Sequence, residues 1–256
     1  MVVLSLGAGV QSSTMALMAS NGELEYKVDC AIFADTGWEP RKVYEYLDWL
    51  ESVVSFPVYR VMHKEGLKSA LQGSGRFAAV PFFTEKGGMG MRQCTGEYKI
   101  MPIQKKCREL LGYSKGQRIP PDAITMLIGI STDEVIRMKP SRVAWIKHVW
   151  PLIDKGMSRS QCLQYMQANG HRMPDKSSCL GCPYHSDRQW LEIKNNNPQE
   201  WQETVEMDRI IRDRSQGKKQ KQYMHRSRKP LDQVDFSAIE DQIDMFGNEC
   251  EGMCGV

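Results

Sequence analysis

The chain has 256 residues, long enough for one large domain or a domain with an appendage. Its 41% hydrophobic and 25% charged content is that of an ordinary soluble globular fold, and no window is apolar enough for a membrane span. A net charge of +3 is too small to imply nucleic-acid binding by itself.

The apolar start lacks the basic lead of a signal peptide, so a cytoplasmic setting is expected. There, eight cysteines point to metal ligands, catalysts or buried thiols rather than disulfides. Residues 2–4 read as a short buried strand, 5–9 as a small-residue turn, and 11–18 as a helix with Ser12, Ser13 and Thr14 in its first turn. Strand, glycine turn and helix N-terminus together make an anion site: glycines let backbone approach a ligand, and the open N–H groups and helix dipole favour negative charge. Read alone, the loop is equally a packing turn. No Gly-Lys-Ser/Thr follows, which excludes a Walker loop, and Ser12 stands where a dinucleotide fingerprint needs glycine.

Residues 28–34 form a second predicted strand, ending in Asp35-Thr36-Gly37-Trp38-Glu39. Over 40–54 the spacing predicts a helix with Val43, Tyr46, Leu47, Leu50 and Val54 on one face. A strand at 57–62 and a helix at 66–71 follow; 73–91 is a glycine-rich loop placed to cover a site. Residues 96–111 predict a helix, and 123–130 a strand ending in Ser131-Thr132-Asp133-Glu134, with Arg137 just beyond. Residues 158–169 predict a helix opened by a capping box, Ser158 with Gln161. Strand–helix alternation implies an α/β fold: a twisted, mostly parallel sheet with helices on both faces and polar groups at the carboxyl ends of its strands. From Lys176 the composition turns polar and basic. The chain is therefore expected to divide into an α/β domain, 1–175, and a helical appendage with a cysteine tail, 176–256.

Four pieces occur in order: Ser5-Leu6-Gly7-Ala8-Gly9-Val10-Gln11-Ser12-Ser13, Phe33-Ala34-Asp35-Thr36-Gly37-Trp38, Arg92-x-Cys94-Thr95-x-x-x-Lys99-Ile100-x-Pro102-Ile103, and Gly129-Ile130-Ser131-x-Asp133-Glu134-x-x-Arg137. Together they resemble the motifs of the phosphoadenosine phosphosulfate (PAPS) reductase-like family of the adenine nucleotide alpha hydrolase, or PP-loop, superfamily, over most of residues 1–200. The resemblance implies that Ser5, Gly7, Gly9, Gln11, Ser12 and Ser13 hold the phosphates or sulfate of an adenine nucleotide: PAPS, adenylyl sulfate or ATP. It places Asp35, Thr36 and Gly37 at the border of the pocket, with Gly129, Asp133, Glu134 and Arg137 beside them. Arg137 is suited to bidentate pairing with an anion. Taken singly, Asp35 and Asp133 read as turn aspartates capping their own backbone. ATP pyrophosphatases of the superfamily carry a magnesium-assisting aspartate near the place of Gln11, so this loop looks closer to the reductase version.

Cys179-Leu180-Gly181-Cys182-Pro183 is a Cys-x-x-Cys whose glycine permits a tight turn. By the resemblance, Cys94, Cys179 and Cys182 ligate a [4Fe–4S] cluster. Gln93 stands where iron–sulfur relatives carry a second cysteine, which leaves Cys162 or an open position as fourth. Zinc with His185 as fourth ligand is the competing reading, and buried thiols without metal the plainest one. The tail holds Cys250 and Cys254, and the resemblance makes Cys250 a nucleophile toward sulfate sulfur, with mutual pairing or ligation of the two as alternatives. Cys30 and Cys107 are expected to be inert. A basic stretch from Arg209 to Lys229 is either solvated surface or a contact to nucleic acid.

Three functions are open at this point. One is a PAPS or adenylyl-sulfate reductase-like enzyme with a thiol electron donor. The second is a nucleotide-dependent sulfurtransferase thiolating tRNA or DNA. The third is a non-catalytic nucleotide- or DNA-binding accessory protein.

Overall fold

The structure, a computed structural model, describes residues 1–73, 80–215 and 220–236. β1 (Val2–Leu6) turns into α1 (Val10–Ser20), β2 (Cys30–Asp35) into α2 (Arg41–Val53), and β3 (Val58–Met62) into α3 (Leu67–Gln72). After β4 (Phe83–Thr84) and a π-helical turn (Gly96–Ile100) come α4 (Met101–Leu110), β5 (Ile124–Leu127), a 3-10 turn (Thr132–Arg137) and β6 (Ile146–Val149). The described chain continues with α5 (Pro151–Asp154), α6 (Arg159–Ala168), α7 (Asp187–Asn196), α8 (Pro198–Ser215) and β7 (Gln222–Tyr223).

Five strands form a parallel sheet in the order β3-β2-β1-β5-β6, while β4 and β7 make a separate antiparallel pair. The α/β fold with a parallel sheet is as the alternation predicts. Apolar groups cover both faces, as a parallel sheet requires. On one face α1, α2 and α6 enclose Leu4, Leu6, Ala31 and Phe33; on the other, α4 covers Val3, Ile32, Ile124 and Met126. In α1 every residue from Val10 to Met18 is buried, because the helix lies between the sheet and α6. No helix among the described residues is long and apolar enough to cross a membrane.

The order of strands reverses direction beside β1: β2 and β3 lie to one side, β5 and β6 to the other. The carboxyl ends of β1 and β5 therefore flank the crevice where open parallel sheets bind ligands.

Several local expectations are refined. The predicted loop 73–91 contains β4, which pairs with β7; its residues 74–79 lie outside the described residues. The predicted helix 96–111 begins with a π turn, a form enriched at functional sites. The short β6 has only Ile146 and Val149 buried and gives no sequence signal. The Ser158–Gln161 capping box is present, and Ser186 with Gln189 forms another at the start of α7.

α7 and α8 share a core with Trp38, Leu67, Leu71 and Phe82. Its polar hub is Asp208, wholly buried on α8. The carboxylate accepts the N–H groups of Met224 at 3.1 Å and Leu231 at 3.0 Å and pairs with Arg212. Asp208→Ala takes the acceptor from these two N–H donors and the buried carboxylate from Arg212, so urea unfolding should show a loss of about 3–5 kcal/mol. A loss under about 1 kcal/mol, the scale of an exposed ion pair, would refute this role.

Candidate functional site

The loop between β1 and α1 is built for close approach. Ala8 takes φ +55°, a conformation rare outside glycine and found where ligand sites constrain backbone. Gly9 caps α1 without a side-chain bond, so the first-turn N–H groups have no side-chain acceptor. Ser12 Oγ accepts from Gly7 N–H at 3.2 Å and folds the turn on itself. Gly129, just past β5, lies against this helix start. A Cβ there would stand 2.9 Å from Ser12 N and 3.1 Å from Ser12 Cα.

Three side chains cross the crevice. Gln11, with no exposed surface, donates through Nε2 to Ser131 Oγ at 3.3 Å and Glu134 Oε2 at 3.1 Å. Glu134 Oε1 in turn accepts from Arg137 Nη1 at 2.7 Å. Among the described residues Ser5 Oγ, Gln11 Oε1 and Arg137 Nη2 are buried without a hydrogen-bond partner. Unpaired buried polar atoms are costly and call for a reason; Gln11 Oε1 and Arg137 Nη2, on the two side chains that Glu134 bridges, suit a polar ligand. Asp133 does not join them. Its Oδ1 accepts from Arg159 N–H at 3.0 Å, capping α6, and its hydrogen bonds from Ser131 and Arg159 hold the carboxyl below the usual range against the opposing effect of burial.

At the end of β2, Asp35 Oδ1 accepts from Gly37 N–H at 2.7 Å and from Tyr44 Oη–H at 2.8 Å. Gly37 itself needs its φ of +73° and lies 3.4 Å (as a Cβ) from Gly66 Cα. Thr36 Oγ–H donates to Glu39 Oε1 at 2.9 Å and sits 3.2 Å from Cys179 Sγ. Cys179 Sγ–H donates to the same Glu39 oxygen at 3.5 Å, and Lys99 Nζ lies 3.9 Å from it. The Cys-x-x-Cys loop is fixed here by Trp38: its carbonyl accepts from Leu180 N–H at 2.9 Å, and its ring fills the space beside Gly181.

Cys94, Cys179 and Cys182 thus line one cavity, together with Thr36, Arg92 and Lys99. Thr36, at the end of β2, shares that cavity with the three thiols, while the hydrogen bonds of Gln11 to Ser131 and Glu134 join the ends of β1 and β5. The other thiols do not join them. Cys162, considered as a fourth ligand, lies on α6 in the core against α1, away from the core that holds Cys179. Burial pushes the Cys30 thiol up to about 11 and the Cys107 thiol up to about 12, consistent with inert thiols. Cys250 and Cys254 lie outside the described residues.

His185 is turned from the thiols. Its Nε2 sits 3.0 Å from the Cys179 carbonyl oxygen and its ring stacks edgewise on Trp190, centroids 4.7 Å apart. Burial pulls its pKa from 6.5 down to about 4. The unfolded chain therefore takes up a proton below pH 6.5 that the folded chain refuses until about pH 4. Stability is full above pH 6.5 and falls between these values, by at most about 3 kcal/mol. Denaturant midpoints at pH 7 and pH 4.5 read this out; His185→Gln should flatten the difference, and an unchanged slope would contradict it.

Three arginines of the basic stretch pair with carboxylates among the described residues. Arg209 pairs with Glu206 at 2.5 Å and Asp213 at 3.4 Å, Arg212 with Asp208, and Arg226 with Asp187 at 2.7 Å; Arg214 donates to the Ala70 carbonyl at 3.0 Å. Lys218 and Lys219 lie outside the described residues. Sequence reasoning quoted Arg92 and Lys99 without assigning them a role, and it treated Glu39 as part of a turn. The signal for the cations was their place in the Cys94 motif.

No family model matches the chain, and no curated protein matches it. Among solved structures it is similar to PAPS reductase from Candida auris in a phosphate complex: 13% identity, 70% of this chain and 80% of that one covered, TM-score 0.47.

Proposed function

We propose that the chain is a PAPS reductase-like enzyme acting on sulfur carried by an adenine nucleotide. The observation that supports this most is the pair of unpaired buried polar atoms bridged by Glu134 between β1 and β5, Gln11 Oε1 and Arg137 Nη2. PAPS or adenylyl sulfate supplies both the anionic oxygens and the hydroxyl and amino groups that would satisfy such a pair. Gln11 is a neutral brace here, tied to Ser131 and Glu134, which supports a sulfonucleotide over ATP as the ligand. Such thiol chemistry belongs in a reducing compartment such as the cytoplasm.

In the proposed reaction a cysteine thiolate, assigned to Cys250, attacks the sulfate sulfur. An S–S bond forms, the S–O bond to the nucleotide breaks, and the nucleotide leaves with the bridging oxygen. A second thiol, from Cys254 or a dithiol donor, then attacks the cysteine sulfur. Sulfite departs with the electron pair and a disulfide remains, to be reduced by the donor. In anaerobic assays of the full chain with adenylyl sulfate or PAPS and a dithiol, Cys250→Ser should abolish sulfite release. Full release by the variant would remove Cys250 from the mechanism.

The donor set around the cavity fits an iron–sulfur cluster: three thiols, with Arg92 and Lys99 to offset their charge. Among the described residues no three His, Cys, Asp or Glu groups are arranged to hold a metal ion, so zinc or a cluster would each need the thiols to draw together; His185 Nε2 is on the Cys179 carbonyl, which takes away the fourth ligand of the zinc reading. The cavity has about 30 Å³ of room, so binding a cluster would move wall side chains outward. Cys94, Cys179 and Cys182 would hold it, and a bound cluster supplies a redox-active centre beside the anion site. Anaerobically purified protein should then carry about four irons with acid-labile sulfide, lost in Cys94→Ala and Cys179→Ala; iron-free protein would leave a thiol site alone.

A nucleotide-dependent sulfurtransferase is the second reading, favoured by the cavity's three cysteines, which would leave one iron of a cluster without a protein thiolate. The pairing of Arg209, Arg212 and Arg226 with carboxylates weakens its nucleic-acid part. Nucleic-acid binding that falls steeply with salt would restore it.

A further inference from the structure

We propose that Glu134 is the positioning residue of the β1/β5 crevice: its two carboxylate oxygens hold Arg137 and Gln11 so that Arg137 donates to an anionic oxygen of the nucleotide while Gln11 accepts from a hydroxyl or amino group of the same ligand. This rests on the adenine-nucleotide reading above and assigns parts to residues within it.

Glu134 stands in an apparent conflict with its surroundings. Glu134 is a carboxylate, 6% exposed, beside a loop whose helix dipole and N–H groups favour anions. A bare carboxylate would repel a phosphate or sulfate there. Glu134 is not bare. Oε1 takes Arg137 Nη1 at 2.7 Å, and Oε2 takes Gln11 Nε2 at 3.1 Å. Both partners keep one polar atom in reserve: Arg137 Nη2 and Gln11 Oε1 are buried with no partner among the described residues. Gln11 is wholly buried and its amide is fixed from two sides, by Glu134 and Ser131, so the reserved oxygen has one set direction. Asp133 cannot take this part, because it is engaged at the α6 N-terminus.

The pair of reserved atoms defines a ligand class. One is a cationic donor and the other a neutral acceptor, and one carboxylate bridges the two side chains. Inorganic sulfate, which has no donor, satisfies the first only. A nucleoside carrying a charged ester satisfies both, through its anionic oxygens and its ribose hydroxyl or base amino groups. Removing Glu134 frees Arg137 to other rotamers and releases the Gln11 amide, so its loss should weaken nucleotide binding through Arg137 rather than beside it.

The test is calorimetric titration of the full chain with adenylyl sulfate and, separately, inorganic sulfate. Glu134→Gln, which keeps size and shape, and Arg137→Met should each weaken adenylyl sulfate at least tenfold, measured on variants that circular dichroism shows to be folded, since both lose a buried ion pair. The loss in the double variant should fall well short of the product of the single losses, because Glu134 acts through Arg137 and Gln11. Multiplying losses, or wild-type affinity in Glu134→Gln, would overturn the proposal. Inorganic sulfate should bind the wild type at least tenfold more weakly than adenylyl sulfate; equal affinity would remove the part given to Gln11. Failure of the wild type to bind adenylyl sulfate would overturn the functional reading itself, and this inference with it.

Discussion

Replacing Gly181 by alanine is expected to destabilise the protein by about 1–3 kcal/mol and to displace the Cys-x-x-Cys loop. The added Cβ would stand 2.0 Å from Trp38 Cη2, 2.4 Å from Cζ3 and 2.8 Å from Cζ2, distances no side chain tolerates. Trp38 has little freedom to yield. Its side chain is buried at 3% exposure, and its carbonyl is bonded to Leu180 N–H at 2.9 Å, so ring and loop are coupled through the backbone. The loop must give way, and with it Cys179 and Cys182, which flank the residue. A smaller residue at 38 provides the control. Trp38→Leu costs stability through the lost ring, but in that background Gly181→Ala should cost much less than in the wild type. The coupling should fall in the range of 0.5–3 kcal/mol measured for contacting pairs. Urea unfolding of the four proteins gives the cycle. Additive losses would mean that the ring does not set the glycine requirement.

The second large effect is expected at Gly129. Here the obstacle is backbone: Ser12 N at 2.9 Å, Ser12 Cα at 3.1 Å and Gln11 C at 3.3 Å from the added Cβ. No rotamer relieves such a contact. Gly129→Ala must push the exit of β5 away from the start of α1, separating Ser131 and Glu134 from Gln11. Misplacing a positioned group by about 1 Å costs on the order of a hundredfold, so adenylyl sulfate binding should fall by about that factor. Affinity within a few-fold of wild type would show that the crevice is not the nucleotide site.

Much of the framework was legible because it rests on local patterns. The apolar runs of β1, β2 and β5 and the 3.6-residue stripe Val43, Tyr46, Leu47, Leu50 all appear, and that stripe is buried. The capping box at Ser158 formed because it is a local rule. What depends on long-range packing was not legible. Glu39 looks like a turn residue until Lys99, sixty positions on, and Cys179 arrive beside it. Cys162 is chemically equal to Cys94 in the sequence, and only the side of α6 it occupies sends it to the core under α1. Asp35 and Asp133 look alike as strand-end carboxylates; both turn out to accept backbone N–H groups. Which charges of the basic stretch are paired depends on its flanking acids. Glu206 and Asp208 stand just before it, one helical turn from Arg209 and Arg212, and pair with them.

The most direct test of the account is titration of the anaerobically purified full chain with adenylyl sulfate, PAPS and ATP. The structure and the proposal together predict saturable one-to-one binding of the two sulfonucleotides, retained in chelator and lost in Gly129→Ala. Absence of saturable binding for all three nucleotides would contradict the central claim that the β1/β5 crevice is an adenine-nucleotide site.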